Sequence, residues 1–143
     1  MSESDAIARS DRPATVATLA RDLRALGLAA GQTVLVHTAL SALGYVISGP
    51  VSLLLALDDV LGPTGTLMMP THSADLSDPA AWVAPPVPLE WISIIQAEMP
   101  VYDARLTPTR GMGVTAELFR SQPGVLRSDH PKVSFAARGP QAE

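Results

Sequence analysis

TVLVHTALSALGYVISGPVSLLLALDDVL, residues Thr33 to Leu61, reads as a strand, a tight loop and a helix, and its reading decides the fold. Thr33-Val-Leu-Val36 is a short β-branched, apolar run without helical period, the pattern of a parallel strand buried on both faces. His37 to Gly44 leaves the carboxyl end of that strand. Ser48-Gly49-Pro50 is a helix start, with Ser or Gly at the cap and Pro at the first helical position, where its missing N–H is not needed. Val51, Leu54, Leu55 and Asp58 follow at helical spacing, and Gly62-Pro63 stops the helix. Hydroxyls and glycine set against a helix N-terminus suit a phosphate or carboxylate, because free N–H groups and the positive end of the helix dipole meet there. The loop is neither a Walker A loop nor a G-x-G-x-x-G fingerprint, and an ordinary βα connection with no ligand is the plain alternative.

Outward from this unit, Thr66-Leu-Met-Met-Pro70 is a second strand after the turn Gly62-Pro-Thr-Gly65. Strand, helix and strand from Thr33 to Pro70 make a βαβ unit, so the two strands are expected to be parallel with a right-handed crossover. That topology sets His37-Thr38 beside Thr71-His72-Ser73 at the edge where open α/β sheets bind ligands. Upstream, Thr15 to Leu26 place Val16, Leu19, Ala20, Leu23 and Leu26 on one helical face, with Gly27 as the stop. Residues 1–12 are polar and are expected to be a flexible arm. Residues 13–143 then form one α/β unit.

Downstream, Thr71 to Pro88 is proline-punctuated and aperiodic, and long loops of this kind are often lids or binding segments. Leu89 to Met99 reads as a helix with Leu89, Ile92, Ile95 and Met99 inward, and Val114, Leu118 and Phe119 mark a shorter one. Val133 to Ala137 is a third strand. So few strands leave parallel strands without neighbours, which reads as the front part of a larger α/β domain, incomplete at its C-terminal side.

Composition narrows the function. A net charge of −4 and a pI near 5.2 argue against a nucleic-acid partner, since no basic stripe exists to displace counterions. With no cysteine there is no thiolate nucleophile, disulfide or cysteine-bound zinc. No run approaches the ~20 apolar residues of a membrane span and the first residues are no signal segment, so a cytoplasmic address is expected. Oligomeric state is not legible.

His37, His72 and His130 are the candidate chemical residues, and each has a plain reading as a loop hydrogen-bonder. No metal site is expected, because close spacings such as H-x-x-x-H are missing, and no G-x-S-x-G elbow is present. Asp75, Asp78, Glu90, Glu98, Asp103 and Glu117 are carboxylates able to attract a polycation; Asp75 and Asp78 lie in the long loop near the ligand edge, while solvated surface is the plain reading of Glu90 and Glu98. Arg110, Arg127 and Lys132 are the cations nearest the late loops, where a phosphate would use one or two of them.

Four segments carry a resemblance: V-H-T-A-L-S-A-L-G-Y-V-I-S-G-P (36–50), G-P-T-G-T-L-M-M-P-T (62–71), T-P-T-R-G-M-G-V-T-A-E-L-F-R (107–120) and P-G-V-L-R-S-D-H-P-K-V-S-F-A-A-R-G-P (123–140). In order and together they resemble the aminoglycoside 3-N-acetyltransferases. The resemblance implies a mixed α/β acetyltransferase fold, of which 13–143 is the N-terminal part, and transfer of acetyl from acetyl-coenzyme A to the 3-amino group of the deoxystreptamine ring. It implies coenzyme contacts from His37, Thr38, Ala39, Leu40, Ser41, Gly44 and Gly49, with a second wall from Ser128, His130, Pro131 and Ser134. It implies substrate contacts from Thr71, Asp75, Asp78 and Arg110, and an antibiotic-resistance role. Ser48 stands where the family usually has Gly, a change a cap serine would tolerate. The family's histidine and glutamate base belongs to the part beyond Glu143; within this chain only His130 or His72 is available to stand in. A non-catalytic remnant, or a module binding coenzyme A or another phosphorylated ligand, is the alternative.

Overall fold

In the computed structural model, residues 3–143 are described. Helix α1 (Glu3–Ala8) and helix α2 (Val16–Ala25) precede strand β1 (Thr33–Leu35), a 3-10 turn (Leu40–Leu43), helix α3 (Pro50–Leu61) and strand β2 (Thr66–Pro70). Then come a second 3-10 turn (Pro79–Ala81), helices α4 (Leu89–Glu98) and α5 (Gly113–Arg120), and strands β3 (Leu126–Arg127) and β4 (Phe135–Arg138).

The sheet runs β1-β2-β4-β3. β1 and β2 are parallel, Thr33 facing Thr66 and Leu35 facing Met68, as the βαβ reading requires. β4 runs antiparallel to β2, and β3 antiparallel to β4, so the sheet is mixed. The third strand is shifted toward the C-terminus from its expected place at Val133, but Thr71 N–H and Ser73 N–H donate to the Ser134 and Lys132 carbonyls and carry the pairing on past its end. The short β3 carries no sequence signal of its own.

Helix α2 begins at a reciprocal cap. Thr18 N–H donates to Thr15 Oγ1 at 3.1 Å, and Thr15 N–H to Thr18 Oγ1 at 2.9 Å. Leu19 and Ala20 enter the core, whereas Leu26, expected on the same face, is the exposed C-cap. α3 is the helix around which the core closes, since Leu53, Leu54, Ala56, Leu57, Val60 and Leu61 are all buried with Phe119, Met69 and Ala136. Its buried face differs from the one expected. Val51 and Leu55 point to the uncovered side, because α2 and α5 flank the helix and take up the rest of its surface. Around α3 the full burial of Leu54, Leu57 and Phe119 supplies several kcal/mol of transfer free energy, at about 2 kcal/mol per side chain.

Four further expectations change. β1 is not buried on both faces: it forms an open edge of the sheet, with Leu35 51% exposed. Within the stretch expected to be an arm, Glu3–Ala8 is helical, and the chain after it is tied down by Ser10, whose Oγ accepts from Tyr45 N–H at 2.8 Å; Met1 and Ser2 lie outside the described residues. α4 buries no residue, since only its neighbouring 3-10 turn packs closely on it, and Leu89 is exposed rather than inward. Val114, expected among the apolar positions of α5, is exposed as well, while Thr115, Ala116 and Phe119 are buried.

Gly49, not Ser48, caps α3, and Ser48 makes no capping bond. Ser48 has φ +57°, in the left-handed region that penalises a Cβ. Ser48→Gly is therefore expected to raise unfolding stability by about 0.5–1 kcal/mol despite the extra freedom glycine gives the unfolded chain. A shift of the urea midpoint upward at unchanged slope is the measurement; a downward shift refutes the strain.

Candidate functional site

The loop from β1 to α3 is shaped by its two ends. Parallel pairing carries β1 to its carboxyl end, and Pro50 fixes the start of α3, so residues 37–49 fold back across the top of the helix. Leu40, Ser41, Gly44, Gly49 and Pro50 then line a cavity of about 620 Å³ together with Ser48, Val46, Glu3 and Val114. Two helices of this region begin without a side-chain cap. They are α3, capped by Gly49, and α5, capped by Met112, whose first turn contributes Val114 to the cavity wall. Helix N-termini of this kind present N–H donors and the positive end of the dipole to an anion. Arg9, which does not line the cavity, steadies the loop from outside, its Nη2 donating to the Ser41 carbonyl at 3.4 Å. Neither Glu3 nor α5 was legible as part of this cavity. The arm looked featureless, and the α5 start has no cap residue or proline to mark it.

The expected coenzyme residues divide. His37, Thr38 and Ala39 line a different cavity of about 470 Å³ beside β1, with Leu23, Leu28, Leu53 and Leu57. Ser128, His130, Pro131 and Ser134 line neither cavity. Ser128 Oγ accepts from Phe135 N–H at 3.0 Å and holds the β3–β4 connection. His130 Nδ1 accepts from the Lys132 and Val133 N–H groups at 3.2 and 3.0 Å, which leaves the ring proton of the neutral form on Nε2. An imidazole fixed in that tautomer has no lone pair to offer an amine. His72 packs edge-on against Phe135 at 5.3 Å, and its Nε2 is buried without a partner.

At the carboxyl end of the neighbouring parallel strand β2, Thr71, Asp75 and Arg110, expected as substrate contacts, lie on two loops that come together. Arg110 N–H donates to the His72 carbonyl at 2.9 Å, and Ser73 Oγ to the Pro108 carbonyl at 3.1 Å. Asp75 pairs with Arg110 at 3.0 Å, both side chains about half exposed. Ser73, Asp75, Asp103, Leu106 and Thr107 line a cavity of about 340 Å³. The N–H groups of Leu106 and Arg105 hold the Asp103 carboxyl below the usual carboxylate range, so this cavity is acidic at neutral pH. Asp78 faces elsewhere, capping the second 3-10 turn through Ala80 N–H and accepting from Gln96 Nε2, each at 3.0 Å.

Thr71 and Ser134 are fully buried, and their hydroxyls are committed to Arg127. Arg127 Nε donates to Thr71 Oγ1 and Ser134 Oγ at 3.2 and 3.1 Å, Nη2 to the Thr71 carbonyl and Ser73 Oγ at 2.6 and 2.8 Å, and Nη1 to the carbonyls of Ala104 and Thr107. Its guanidinium lies over the Tyr102 ring at 5.2 Å. Burial pushes its pKa down, but arginine stays charged. With every nitrogen engaged, Arg127 fastens β2, β4 and the 103–107 loop and has none left for a phosphate. Among the described residues, no group of three or more His, Asp or Glu is arranged to hold a metal ion, and no helix is long and apolar enough to cross a membrane.

A mixed α/β sheet with a phosphate-suited loop at a helix N-terminus is the class of molecule this geometry defines. Residues 35–143 match the aminoglycoside 3-N-acetyltransferase family, and the chain belongs to it. It is 52% identical to the SPbeta prophage-derived aminoglycoside N(3')-acetyltransferase-like protein YokD of Bacillus subtilis over 89% of this chain and 47% of that protein. The YokD crystal structure superposes with a TM-score of 0.95 over 97% of this chain and 52% of its own. Aminoglycoside N(3)-acetyltransferase VIII of Streptomyces fradiae is 45% identical over 99% of this chain and 49% of its own. AAC-IIIb, solved as a binary complex with CoASH, is 38% identical with a TM-score of 0.74, over 92% of this chain and 48% of its own. The chain thus spans about half the length of the curated relatives it matches.

Two predictions follow from the electrostatics. Arg127→Ala strands several buried acceptors and hydroxyls and is expected to cost roughly 2–4 kcal/mol; Arg127→Lys should recover only part, since an ammonium cannot reproduce the fork. Thermal melts of both variants check this, and a Lys variant as stable as wild type refutes the fork. Burial pushes the Glu117 pKa up, but its bonds with Arg120 and Thr109 N–H overcome this and hold it at about 2. Its contribution is therefore complete above the ordinary carboxylate value of 4.5 and is lost as pH falls toward 2. Glu117→Gln should flatten the decline in Tm across that acid window, and an unchanged slope overturns the assignment.

Proposed function

We propose that the complete protein transfers acetyl from acetyl-coenzyme A to the 3-amino group of deoxystreptamine aminoglycosides, and that this chain supplies its coenzyme-binding portion. The observation that carries the reading is the 37–49 loop closing over the uncapped start of α3 in a chain of this family, with the coenzyme-bound AAC-IIIb as the supporting relative. The donor set fits a phosphate: helix N–H groups and the Ser41 and Ser48 hydroxyls. Acetyl-coenzyme A brings an activated acetyl thioester; the chain's part is to hold its anionic portion and fix its position.

The amine to be acetylated arrives as an ammonium and must lose a proton before it can attack. Backbone N–H groups occupy Nδ1 of His130, and we assign the base to polypeptide outside these residues. Asp75 and Asp103 attract the cationic sugar, and Arg110 holds Asp75 until an ammonium exchanges for the guanidinium. Attack of the amine on the thioester is taken as direct; within this chain the Ser73 and Ser134 hydroxyls are spent on hydrogen bonds. We place the protein in the cytoplasm, where acetyl-coenzyme A is made.

Two measurements test the reading. Calorimetry of the 143-residue chain should show binding of coenzyme A in preference to ATP, and thiol release from acetyl-coenzyme A should not respond to added aminoglycoside. Preference for ATP would replace this function with a different phosphate ligand. In the complete protein, Asp75→Asn is expected to raise the aminoglycoside KM roughly threefold to tenfold at nearly constant kcat. Asp78→Asn, altering a turn cap that faces elsewhere, should leave it alone; the reverse pattern would sink the acidic-cavity assignment.

A further inference from the structure

Helices α2, α3 and α4 each satisfy part of their first turn. Thr18 N–H donates to the Thr15 hydroxyl, Val51 N–H to the Ser48 carbonyl at 3.3 Å, and Trp91 N–H to the Pro88 carbonyl at 3.0 Å. At α5, among the described residues, nothing accepts from the backbone N–H groups of Gly111, Met112, Gly113, Val114 or Thr115. Gly111 and Gly113 have φ +72° and +81° on either side of Met112 at φ −92°, ψ −6°. Such an alternation of left- and right-handed residues turns successive N–H groups to one side and makes a concave seat for negative charge, here at the positive end of a helix. A second observation points to a ligand. Thr115 is fully buried, and its Oγ1 has no partner. It is the third residue of α5, and a helical side chain leans toward the N-terminus, so this hydroxyl is directed at the same end.

The seat lies between the two cavities. Val114 lines the cavity of about 620 Å³, a Cβ on Gly113 would stand 3.9 Å from the Thr38 carbonyl oxygen, and Arg110, just before the seat, pairs with Asp75 on the acidic side. With Arg110 committed to Asp75 and Arg120 to Glu117, the segment offers neutral donors, which suit one developing negative charge on oxygen better than a phosphate dianion. We infer that the N–H groups of Gly111 to Thr115 and the Thr115 hydroxyl form the oxyanion site of the acetyl transfer and hold the thioester carbonyl oxygen. The inference rests on the function proposed above and adds the residues that carry its charge. The amine, freed of its ammonium proton, bonds through nitrogen to the carbonyl carbon, and an electron pair moves onto the carbonyl oxygen. That pair returns as the carbon–sulfur bond breaks; nitrogen loses a further proton, sulfur takes one up, and amide and thiol result. Donors fixed in place beforehand stabilise the charge without reorganising.

Amide NMR of the 143-residue chain, titrated with coenzyme A and separately with acetyl-coenzyme A, reads the site without turnover. Both should shift the resonances at the start of α3, and only the acetyl form should shift those of Gly111 to Thr115. In the complete protein, Thr115→Val keeps the volume and removes the hydroxyl. It should lower kcat roughly a hundredfold at nearly constant KM for both substrates. Its Tm should be unchanged or higher, because an unpaired buried hydroxyl is lost. Thr115→Ser, which restores the hydroxyl, should recover most of the rate. Equal shifts at 111–115 from both ligands, shifts at α3 alone, or full kcat in Thr115→Val overturns the inference and leaves the proposed reaction standing. Binding of neither ligand sinks the function itself, and the inference with it, so the two failures are distinguishable.

Discussion

The guanidinium of Arg127 is the constraint on which the ligand edge of this molecule depends. It reaches from β3 to Thr71 at the end of β2, to Ser134 at the start of β4, and to two carbonyls of the 103–107 loop. Without it, the paired ends of β2 and β4 and the separate 103–107 loop would leave polar groups buried and unpaired, at a cost comparable to a sizeable part of a domain's net stability. A lysine has the charge but not the planar fork, and here the fork matters more. The Glu117–Arg120 pair extends the same fastening to α5, because Arg120 Nη1 donates to the Arg105 carbonyl and Glu117 accepts from Thr109 N–H. The loop that walls the acidic cavity is thus held from both sides.

That fastening separates two chemistries. At one place, helix starts left without side-chain caps keep their partial positive charge for a ligand anion. At the other, Asp75 and Asp103 keep negative charge for a cation. The transfer we propose joins an anionic coenzyme to a cationic sugar and needs both fields close together but distinct, which a mixed sheet with loops from several strand ends can present. The two histidines near these strand ends differ: backbone N–H groups occupy Nδ1 of His130, whereas Nε2 of His72 is buried with no protein partner.

Much of the fold could be read directly. The βαβ unit, Pro50 as the first residue of α3, the Gly62 stop and the parallel β1–β2 register follow from period, proline and glycine chemistry that act within a few residues. The resemblance named Asp75 and Arg110 as substrate contacts, and the structure brings the two side chains together as an ion pair. The face of α3 was misjudged, since an almost wholly apolar helix has no period to distinguish sides. β3 was missed because two residues carry no pattern.

The sequence by itself determined the local devices: which residues begin and end helices, which strands pair in parallel, and the acidic, cysteine-free chemistry open to the protein. Only the tertiary structure decided what each functional group is free to do. Arg127, Thr71 and Ser134 look like ligand contacts in a linear reading and become a structural clasp once buried against one another. Ser48 looks like a cap and becomes a strained left-handed residue. The physical reason is that a polar group's role depends on whether another partner has already satisfied it, and those partners lie dozens of residues away along the chain.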